Sequence, residues 1–169
     1  MSYSRKDYGS VPRKKYWTPA EAKVKIAAFC AYQERCQQDV RMRLTERGIH
    51  GEEAEELIAV MIEEGFLNEE RYAQAFARGK FSLKKWGRIK IRQALKFKKI
   101  SDRCIQTGMR EIDPEEYYHV LKGESEKKWN SLEKFDSFQR KMKVQQYLLG
   151  RGFEQDLIQG VLSEIEKLK

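Results

Sequence analysis

The sequence predicts an all-α chain, folded as an elongated, curved array of three tandem three-helix repeats. The first observation behind this prediction is an internal repeat, in which a leucine precedes an apolar anchor residue by five positions. The anchors are 51 and 53 residues apart, and the pairs are Leu44 and Ile49, Leu95 and Ile100, and Leu148 and Phe153. The second observation is composition, since only 3 prolines and 11 glycines in 169 residues leave long stretches free of helix breakers. Because such repeats contact only their neighbours, the array is expected to be elongated.

A basic segment precedes the first repeat. Residues 1–17 have little apolar content, and we expect this tail to be disordered. Its cations are Arg5, Lys6, Arg13, Lys14 and Lys15. The three repeats are then expected at residues 18–66, 67–112 and 113–169.

Each repeat is predicted to open with a helix that has a capped start. Thr18, Asn68 and Asp113 are residue types that accept hydrogen bonds from the first amides of a helix. Pro19 and Pro114 fall at the first helical position, where the missing amide hydrogen costs nothing. These three starts predict the first helix of each repeat.

Two further helices in each repeat are joined by a tight turn before the anchor residue. Gly48 and Gly152 stand where a helix must end, because glycine adopts the left-handed conformation without a Cβ clash. Lys99 holds this place in the middle repeat, and a lysine with positive φ would cost about 1 kcal/mol. That turn is therefore expected either to carry strain or to differ in shape. Ser101 is predicted to cap the helix that follows.

Apolar spacing predicts the buried faces of the helices. In the middle repeat Tyr72, Phe76, Gly79 and Leu83 form one stripe, and Ile91 and Leu95 form the next. In the third repeat one stripe continues through Gly123, which predicts an unbroken helix across the polar residues 122–128. Its members are Tyr118, Leu121, Ser125, Trp129 and Leu132.

Composition also indicates where the protein acts. The chain has no apolar run long enough to cross a bilayer, and its first residues lack the apolar core of a secretion signal. We therefore expect a cytoplasmic protein with no membrane contact. Cys30, Cys36 and Cys104 are odd in number and show no Cys-x-x-Cys spacing, so we interpret them as small buried apolar residues.

The usual signatures of catalysis are missing from the sequence. His50 and His119 are the two histidines, and neither lies in a catalytic or metal-binding spacing. No glycine-rich phosphate-binding motif occurs. Four glutamates open a predicted helix, where negative charge favours the helix dipole, and we interpret them as helix support: Glu52, Glu53, Glu55 and Glu56. The sequence predicts a binding protein rather than an enzyme, with no cofactor and no metal.

The net charge of +8 is concentrated in one segment. Residues 80–103 contain ten lysines and arginines against a single acid, Asp102, so this segment carries +9 and the remainder of the chain −1. Such a cluster is typical of a protein that binds a polyanion, either nucleic acid or an acidic protein surface. A solvated face that keeps the protein soluble is the alternative.

One predicted helix of this segment combines an apolar edge with a cationic stripe. At about 100° per residue, Arg88, Arg92, Lys96 and Lys99 fall within roughly 80° of one another, beside Ile91 and Leu95. The helix is thus expected to pack inward and to present four cations outward. Lys84, Lys85 and Trp86 precede it, and the indole either packs between helices or stacks on a base.

The motifs around this helix resemble those of the RecX family. The similar stretches run from Phe66 to Ala73 (FLNEERYA), over Gly87-Arg88-Ile89, Ala94-Leu95 and Ile100-Ser101, and from Lys143 to Phe153 (KVQQYLLGRGF). The similarity covers about residues 24–168. Two positions depart from the family pattern: Lys99 replaces a usual glycine, and Cys36 stands where a serine is common at a helix start.

The resemblance implies a regulator that docks into the filament of the RecA recombinase on DNA, limits filament growth and dampens recombination and co-protease activity. It also implies no catalysis and no cofactor. The candidate binding residues are then Lys84, Lys85, Trp86, Arg88, Arg92, Lys96 and Lys99, with a second patch at Arg140, Lys141, Lys143 and Arg151.

Two functional readings stay open at this point. The main hypothesis is a protein partner, the RecA filament, bound by a monomer, because no long heptad pattern predicts a coiled-coil dimer. The alternative is a sequence-nonspecific binder of single- or double-stranded DNA, because the same cations suit phosphates.

Overall fold

The structure of the protein is a computed structural model that describes residues 15–168. Within those residues the chain forms nine α-helices and no β-strand, which confirms the all-α prediction. The predicted basic tail lies outside the described residues as far as position 14. The helices are α1 (Pro19–Tyr32), α2 (Gln37–Glu46), α3 (Gly51–Glu63), α4 (Glu69–Lys84), α5 (Arg88–Phe97), α6 (Asp102–Met109), α7 (Pro114–Asn130), α8 (Ser137–Arg151) and α9 (Gln155–Lys167).

The helices pack in tandem groups of three, as predicted: α1 with α2 and α3, α4 with α5 and α6, and α7 with α8 and α9. The described residues divide into two compact units. The first contains residues 15–33 and Gln37–Leu67, and the second contains Glu34–Cys36 and residues 68–168. Each unit has its own hydrophobic core, so α4–α6 and α7–α9 share one core.

The three predicted helix starts are confirmed. The side chains of Thr18, Asn68 and Asp113 each accept a hydrogen bond from the backbone N–H three residues later. Ser101 caps α6 in the same way. These caps satisfy amides that have no partner inside the helix.

The three predicted turns have one geometry. The N–H of each anchor donates to the carbonyl of the leucine five residues earlier, at 3.0 Å for Ile49, 3.1 Å for Ile100 and 3.2 Å for Phe153. The preceding residues are left-handed, with φ of 84° at Gly48, 59° at Lys99 and 88° at Gly152. Lys99 therefore adopts the strained left-handed conformation, and its turn has the same shape as the other two.

The stripe predicted for α4 is wrong in part. Leu83 is 81% exposed, and the buried face is built from Tyr72, Ala73, Ala77 and Phe81. The physical reason is the close approach of α6. A Cβ at Gly108 would lie 2.7 Å from the carbonyl oxygen of Ala73, so only small residues fit where these helices meet.

The unbroken helix predicted across residues 122–128 is confirmed as α7. Leu121, Ser125 and Trp129 are buried along it, and the Ser125 hydroxyl donates to the carbonyl of Leu121 at 2.7 Å. Cys30 and Cys36 are buried, as expected, whereas Cys104 is only half-buried.

Residues interpreted as non-catalytic lie on the surface. His50 and His119 are exposed. Glu55 of α3 pairs with Arg41 of α2 at 2.5 Å, and this guanidinium holds the pKa of the Glu55 carboxyl below its ordinary value. The ion pair joins two helices of the first unit, which fits a supporting role for this glutamate.

Candidate nucleic-acid interface

The start of α5 is held by the end of α8. The N–H of Gly87 donates to the carbonyl of Arg151 at 2.8 Å, and the N–H of Ile89 donates to the carbonyl of Gly152 at 3.0 Å. The amides that open α5 are thus satisfied by carbonyls that close α8. These bonds fix the orientation of α5 relative to α7–α9.

Two glycines permit this approach of backbone to backbone. A Cβ at Gly87 would lie 2.2 Å from the carbonyl oxygen of Gly152, and a Cβ at Gly152 would lie 2.3 Å from the Cβ of Lys90. Any side chain at either position would force the two helices apart. Gly152 therefore serves both the left-handed turn and the contact between the end of α8 and the start of α5. We call this contact the joint.

Arg88 belongs to this joint and does not point outward. Its guanidinium carbon lies 3.9 Å from the centroid of the Tyr117 ring, and Nη1 lies 3.4 Å from Oε1 of Glu154. The Tyr117 hydroxyl donates to Glu154 Oε2 at 2.5 Å and accepts from the backbone N–H of Arg88 at 3.0 Å. Burial of Tyr117 and its bond to Glu154 raise the pKa of the Tyr117 hydroxyl.

The expectation of four outward cations on α5 is therefore wrong for one of them. The Arg88 side chain is only 25% exposed and its charge is offset by Glu154. The sequence could not show this, because Tyr117 and Glu154 are 29 and 66 residues away along the chain.

The other three predicted cations are exposed, two of them on α5 and Lys99 in the turn that follows it. Arg92, Lys96 and Lys99 are exposed, while the neighbouring Ile91 and Leu95 are completely buried. No acidic residue occurs between Arg88 and Phe97, and the nearest acid along the chain, Asp102, opens α6. We call Arg92, Lys96, Phe97 and Lys99 the α5 surface.

Trp86 packs between helices and also contacts cations. Its ring meets Phe76 edge to face at 6.5 Å, which agrees with the predicted packing role. The ammonium groups of Lys80 and Lys90 lie 4.9 and 4.6 Å from the ring centroid. The half-buried indole thus makes cation–π contacts with two lysines, and these contacts are favourable to the ring and to the ammonium groups.

One residue of the second predicted patch is brought to the first. Arg151 donates from Nη1 to the backbone carbonyl of Lys84, and its guanidinium lies 5.2 Å from the Tyr147 ring. Lys84 is exposed beside it, and Lys85 is a half-exposed left-handed residue that ends α4. Arg151 therefore lies next to the basic segment in the fold.

The rest of the second patch is not brought to α5 and is largely engaged within the chain. Arg140 donates to the carbonyl of Leu132 at 2.8 Å, and Lys141 pairs with Glu166 at 3.1 Å. Lys143 is exposed, with its ammonium 4.6 Å from the Phe135 ring. Lys143 also lines an open apolar groove on α8 formed by Phe135, Phe138, Met142 and Leu149.

The sequence reading missed two residues of this region. Phe97 is 85% exposed at the end of α5, and Lys90 completes the cations around Trp86. The helical projection contained the signal for Phe97, because position 97 falls opposite Ile91 and Leu95. The projection alone does not predict exposure, because an aromatic residue on a helix usually belongs to the core.

Neither a metal-binding cluster nor a membrane-spanning helix is found in residues 15–168. This part of the chain contains no group of three or more His, Cys, Asp or Glu residues placed to hold a metal ion. None of its helices combines the length and the apolar character needed to span a bilayer.

Two family models match the chain. The model of the RecX second three-helix domain matches residues 68–109, and that of the RecX third three-helix domain matches residues 115–162. Together they span more than half of the chain. The protein belongs to the RecX family. In RecX terms, α5 lies in the second three-helix domain, and the joint to α8 connects the second domain to the third.

Relatives and solved structures agree with RecX membership. The chain is 24% identical over 149 residues to "Regulatory protein RecX" of Bacillus mycoides (strain KBAB4), which covers 88% of this chain and 55% of the relative. It is 28% identical over 133 residues to that of Clostridium perfringens (strain SM101 / Type A), covering 78% and 62%. The chain thus spans roughly three fifths of the length of these curated relatives.

The fold is that of solved RecX structures. The crystal structure of RecX from Lactobacillus salivarius matches with a TM-score of 0.77 at 22% identity, over 88% of this chain and 96% of that one. A second crystal structure of regulatory protein RecX matches with a TM-score of 0.74, also at 22% identity, over 85% and 72%.

Proposed function

We propose that this protein is a non-enzymatic regulator that binds the RecA recombinase filament on DNA and lowers its recombinase, ATPase and co-protease activities. In this proposal it acts in the cytoplasm as a monomer, in the regulation of DNA repair, recombination and the SOS response. RecX membership supports the regulatory role, since the relatives carry the name "Regulatory protein RecX".

The observation that carries the proposal is the α5 surface. Arg92 and Lys96 are exposed on one short helix that contains no acid, and Lys99 is exposed in the turn that follows it. A recombinase filament on DNA presents phosphates and protein carboxylates along its length, and such a polyanion attracts a row of cations. Because the joint to α8 holds α5 in place, the cations are already arranged before binding. Less conformational entropy of the protein is then lost when it binds.

A second candidate function is sequence-nonspecific binding of single- or double-stranded DNA without a recombinase. The same three cations favour it, because phosphate contacts supply most of nonspecific affinity and require no base readout. The two functions predict different results at protein concentrations too low to occupy free DNA. A filament regulator still changes recombinase activity at these concentrations, whereas a DNA binder does not.

The test is DNA-dependent ATP hydrolysis by a bacterial RecA recombinase, titrated with the protein. We expect the parent to inhibit and the triple variant Arg92→Ala, Lys96→Ala, Lys99→Ala to require at least tenfold more protein. Each lost contact to an anion is worth about 1–3 kcal/mol where partly desolvated, and less at an exposed rim. Arg88 is left unchanged because its substitution would disturb the joint with Tyr117 and Glu154.

The matched control removes three exposed lysines from other segments of the second unit, Lys127, Lys134 and Lys167, and so lowers the net charge equally. We expect this control to inhibit like the parent. Equal potency of all three proteins would show that the α5 surface is only a solvated face. Inhibition that requires saturation of the free DNA would favour the second candidate function.

A further inference from the structure

Phe97 is an aromatic residue held outside the hydrophobic core on a rigid helix. Its side chain is 85% exposed, while Leu95 and Ile91 of the same helix are completely buried. The last turn of α5 is closed by the hydrogen bonds of the Lys99 turn, so the ring is presented from an ordered backbone. An exposed phenylalanine adds nothing to the core of the second unit.

The surroundings of Phe97 are cationic. Lys96 precedes it and Lys99 follows in the left-handed turn, while Arg92, five residues before it, lies about 140° around the helix. The helix itself contributes no carboxylate. Its packing partners α4 and α6 have their acids in their first turns, at Glu69, Glu70 and Asp102.

A single ring among cations fits a nucleobase better than an apolar protein pocket. The nearest exposed apolar residue on α5 is Ile89, 40% exposed and about 12 Å away at 1.5 Å per residue. A protein interface needs a contiguous apolar centre within about 800 Å² per partner, as in the α8 groove of Phe135, Phe138, Met142 and Leu149. A base needs one ring face, and the cations then meet the flanking phosphates.

We infer that Phe97 is a stacking platform for an unpaired nucleobase, with Lys96 and Lys99 holding the adjacent phosphates. The ligand is single-stranded nucleic acid, because the bases of a duplex have no free face within the stack. This inference deepens the proposed function by naming the component of the filament complex that α5 contacts.

The experiment measures binding by fluorescence anisotropy with two labelled oligonucleotides of equal length, an oligothymidylate and its fully abasic counterpart. Four proteins are compared: the parent, Phe97→Ala, Phe97→Leu and Phe97→Trp. We expect Phe97→Ala and Phe97→Leu to bind the oligothymidylate about fivefold or more weakly than the parent, as expected for loss of one stacked base. All four proteins should bind the abasic strand equally, because its phosphates are unchanged.

Phe97→Trp supplies a direct readout of stacking. We expect this variant to keep the parent affinity for oligothymidylate and to show added tryptophan emission that thymidine quenches and the abasic strand does not. Unchanged circular dichroism and thermal unfolding of the four proteins establish that differences arise at the surface.

Three results would overturn the inference. The first is parent-like binding of oligothymidylate by Phe97→Ala, and the second is an equal loss on both strands. The third is a Phe97→Leu variant that matches the parent on DNA and in recombinase inhibition while Phe97→Ala fails to inhibit, which would make the ring an apolar anchor for protein. Stacking on thymidine by a protein that leaves recombinase activity unchanged would support this inference and refute the proposed function.

Discussion

Lys99 has a left-handed conformation that usually belongs to glycine, and it carries a positive charge. Its φ of 59° matches the left-handed turns at Gly48 and Gly152, which are glycines in the equivalent positions. The strained residue directly follows the helix that carries the exposed cations Arg92 and Lys96. We therefore expect stability and anion binding to favour different residues at this position.

We predict that Lys99→Gly raises the free energy of unfolding while weakening binding to DNA. Relief of the left-handed strain, about 1–2 kcal/mol, is partly offset by the greater freedom of glycine in the unfolded chain, leaving about 0.5–1 kcal/mol. Urea unfolding followed by circular dichroism measures the first effect and fluorescence anisotropy the second.

Lys99→Ala is the matched control, since it removes the same charge but keeps a Cβ at positive φ. It should weaken DNA binding as much as Lys99→Gly without any gain in stability. If both variants gained the same stability, its cause would be relief of charge repulsion along α5 and not relief of backbone strain.

At the scale of single residues, the sequence predicts contacts between residues that are close along the chain but not between residues that are far apart. Thr18, Asn68 and Asp113 cap helices as predicted, because the cap and its amide lie three residues apart. The role of Arg88 depends on Glu154, 66 positions away, and no local pattern encodes that contact.

At the scale of the helix, α5 shows what periodicity can predict. The Ile91 and Leu95 edge is buried as expected, since two branched side chains at a four-residue spacing define one face. The predicted face of α4 is wrong because Ala73 and Ala77 are buried where α6 approaches closely at Gly108. Small residues at a tight crossing give only a weak hydrophobic signal.

We predict that Leu95→Ala lowers the free energy of unfolding of the second unit by about 2–5 kcal/mol, the usual cost of truncating a buried leucine. Leu95 is 0% exposed and belongs to the core that α4–α9 share. Urea unfolding monitored by tryptophan emission reports this change, because Trp86 and Trp129 pack on that core.

The same helix offers the control for this prediction. Phe97→Ala removes a larger side chain two residues away, but Phe97 is 85% exposed, so its effect should stay within about 0.5 kcal/mol. Similar losses for both variants would mean that the register of α5 is wrong and that the α5 surface is misplaced.

At the scale of the whole molecule, the sequence predicted the order of the elements but not how the helix groups join. The repeat of leucine and anchor fixes three similar turns, and the structure has all three. The joint within the second unit is built from backbone bonds between Gly87 and Arg151 and from the cluster of Arg88, Tyr117 and Glu154. The joint forms only when the two helix groups come together in the fold. Periodicity along the chain therefore does not predict it.

We expect this joint to make the stability of the second unit sensitive to alkaline pH. Burial and the hydrogen bond to Glu154 raise the pKa of Tyr117 above its ordinary value near 10. The neutral hydroxyl therefore contributes stability that is fully present below pH 10 and is lost as pH rises toward the folded-state pKa. In that window the unfolded chain has released a proton that the folded chain still holds, so stability falls by about 1.4 kcal/mol per pH unit for this group.

We predict that Tyr117→Phe removes this loss. At neutral pH the variant should be less stable by about 1–3 kcal/mol, because the backbone N–H of Arg88 and the Glu154 carboxylate lose a buried hydrogen-bond partner. Above pH 10 the difference from the parent should shrink steadily, since only the parent contains the ionisable hydroxyl. Tyr118→Phe is the matched control, because Tyr118 bonds Glu164 on the surface and leaves Tyr117 in place. The control should keep most of the parent's alkaline loss. Urea midpoints measured between pH 7 and pH 11 decide the matter, and a constant difference between Tyr117→Phe and the parent across that range would exclude Tyr117 as the group responsible.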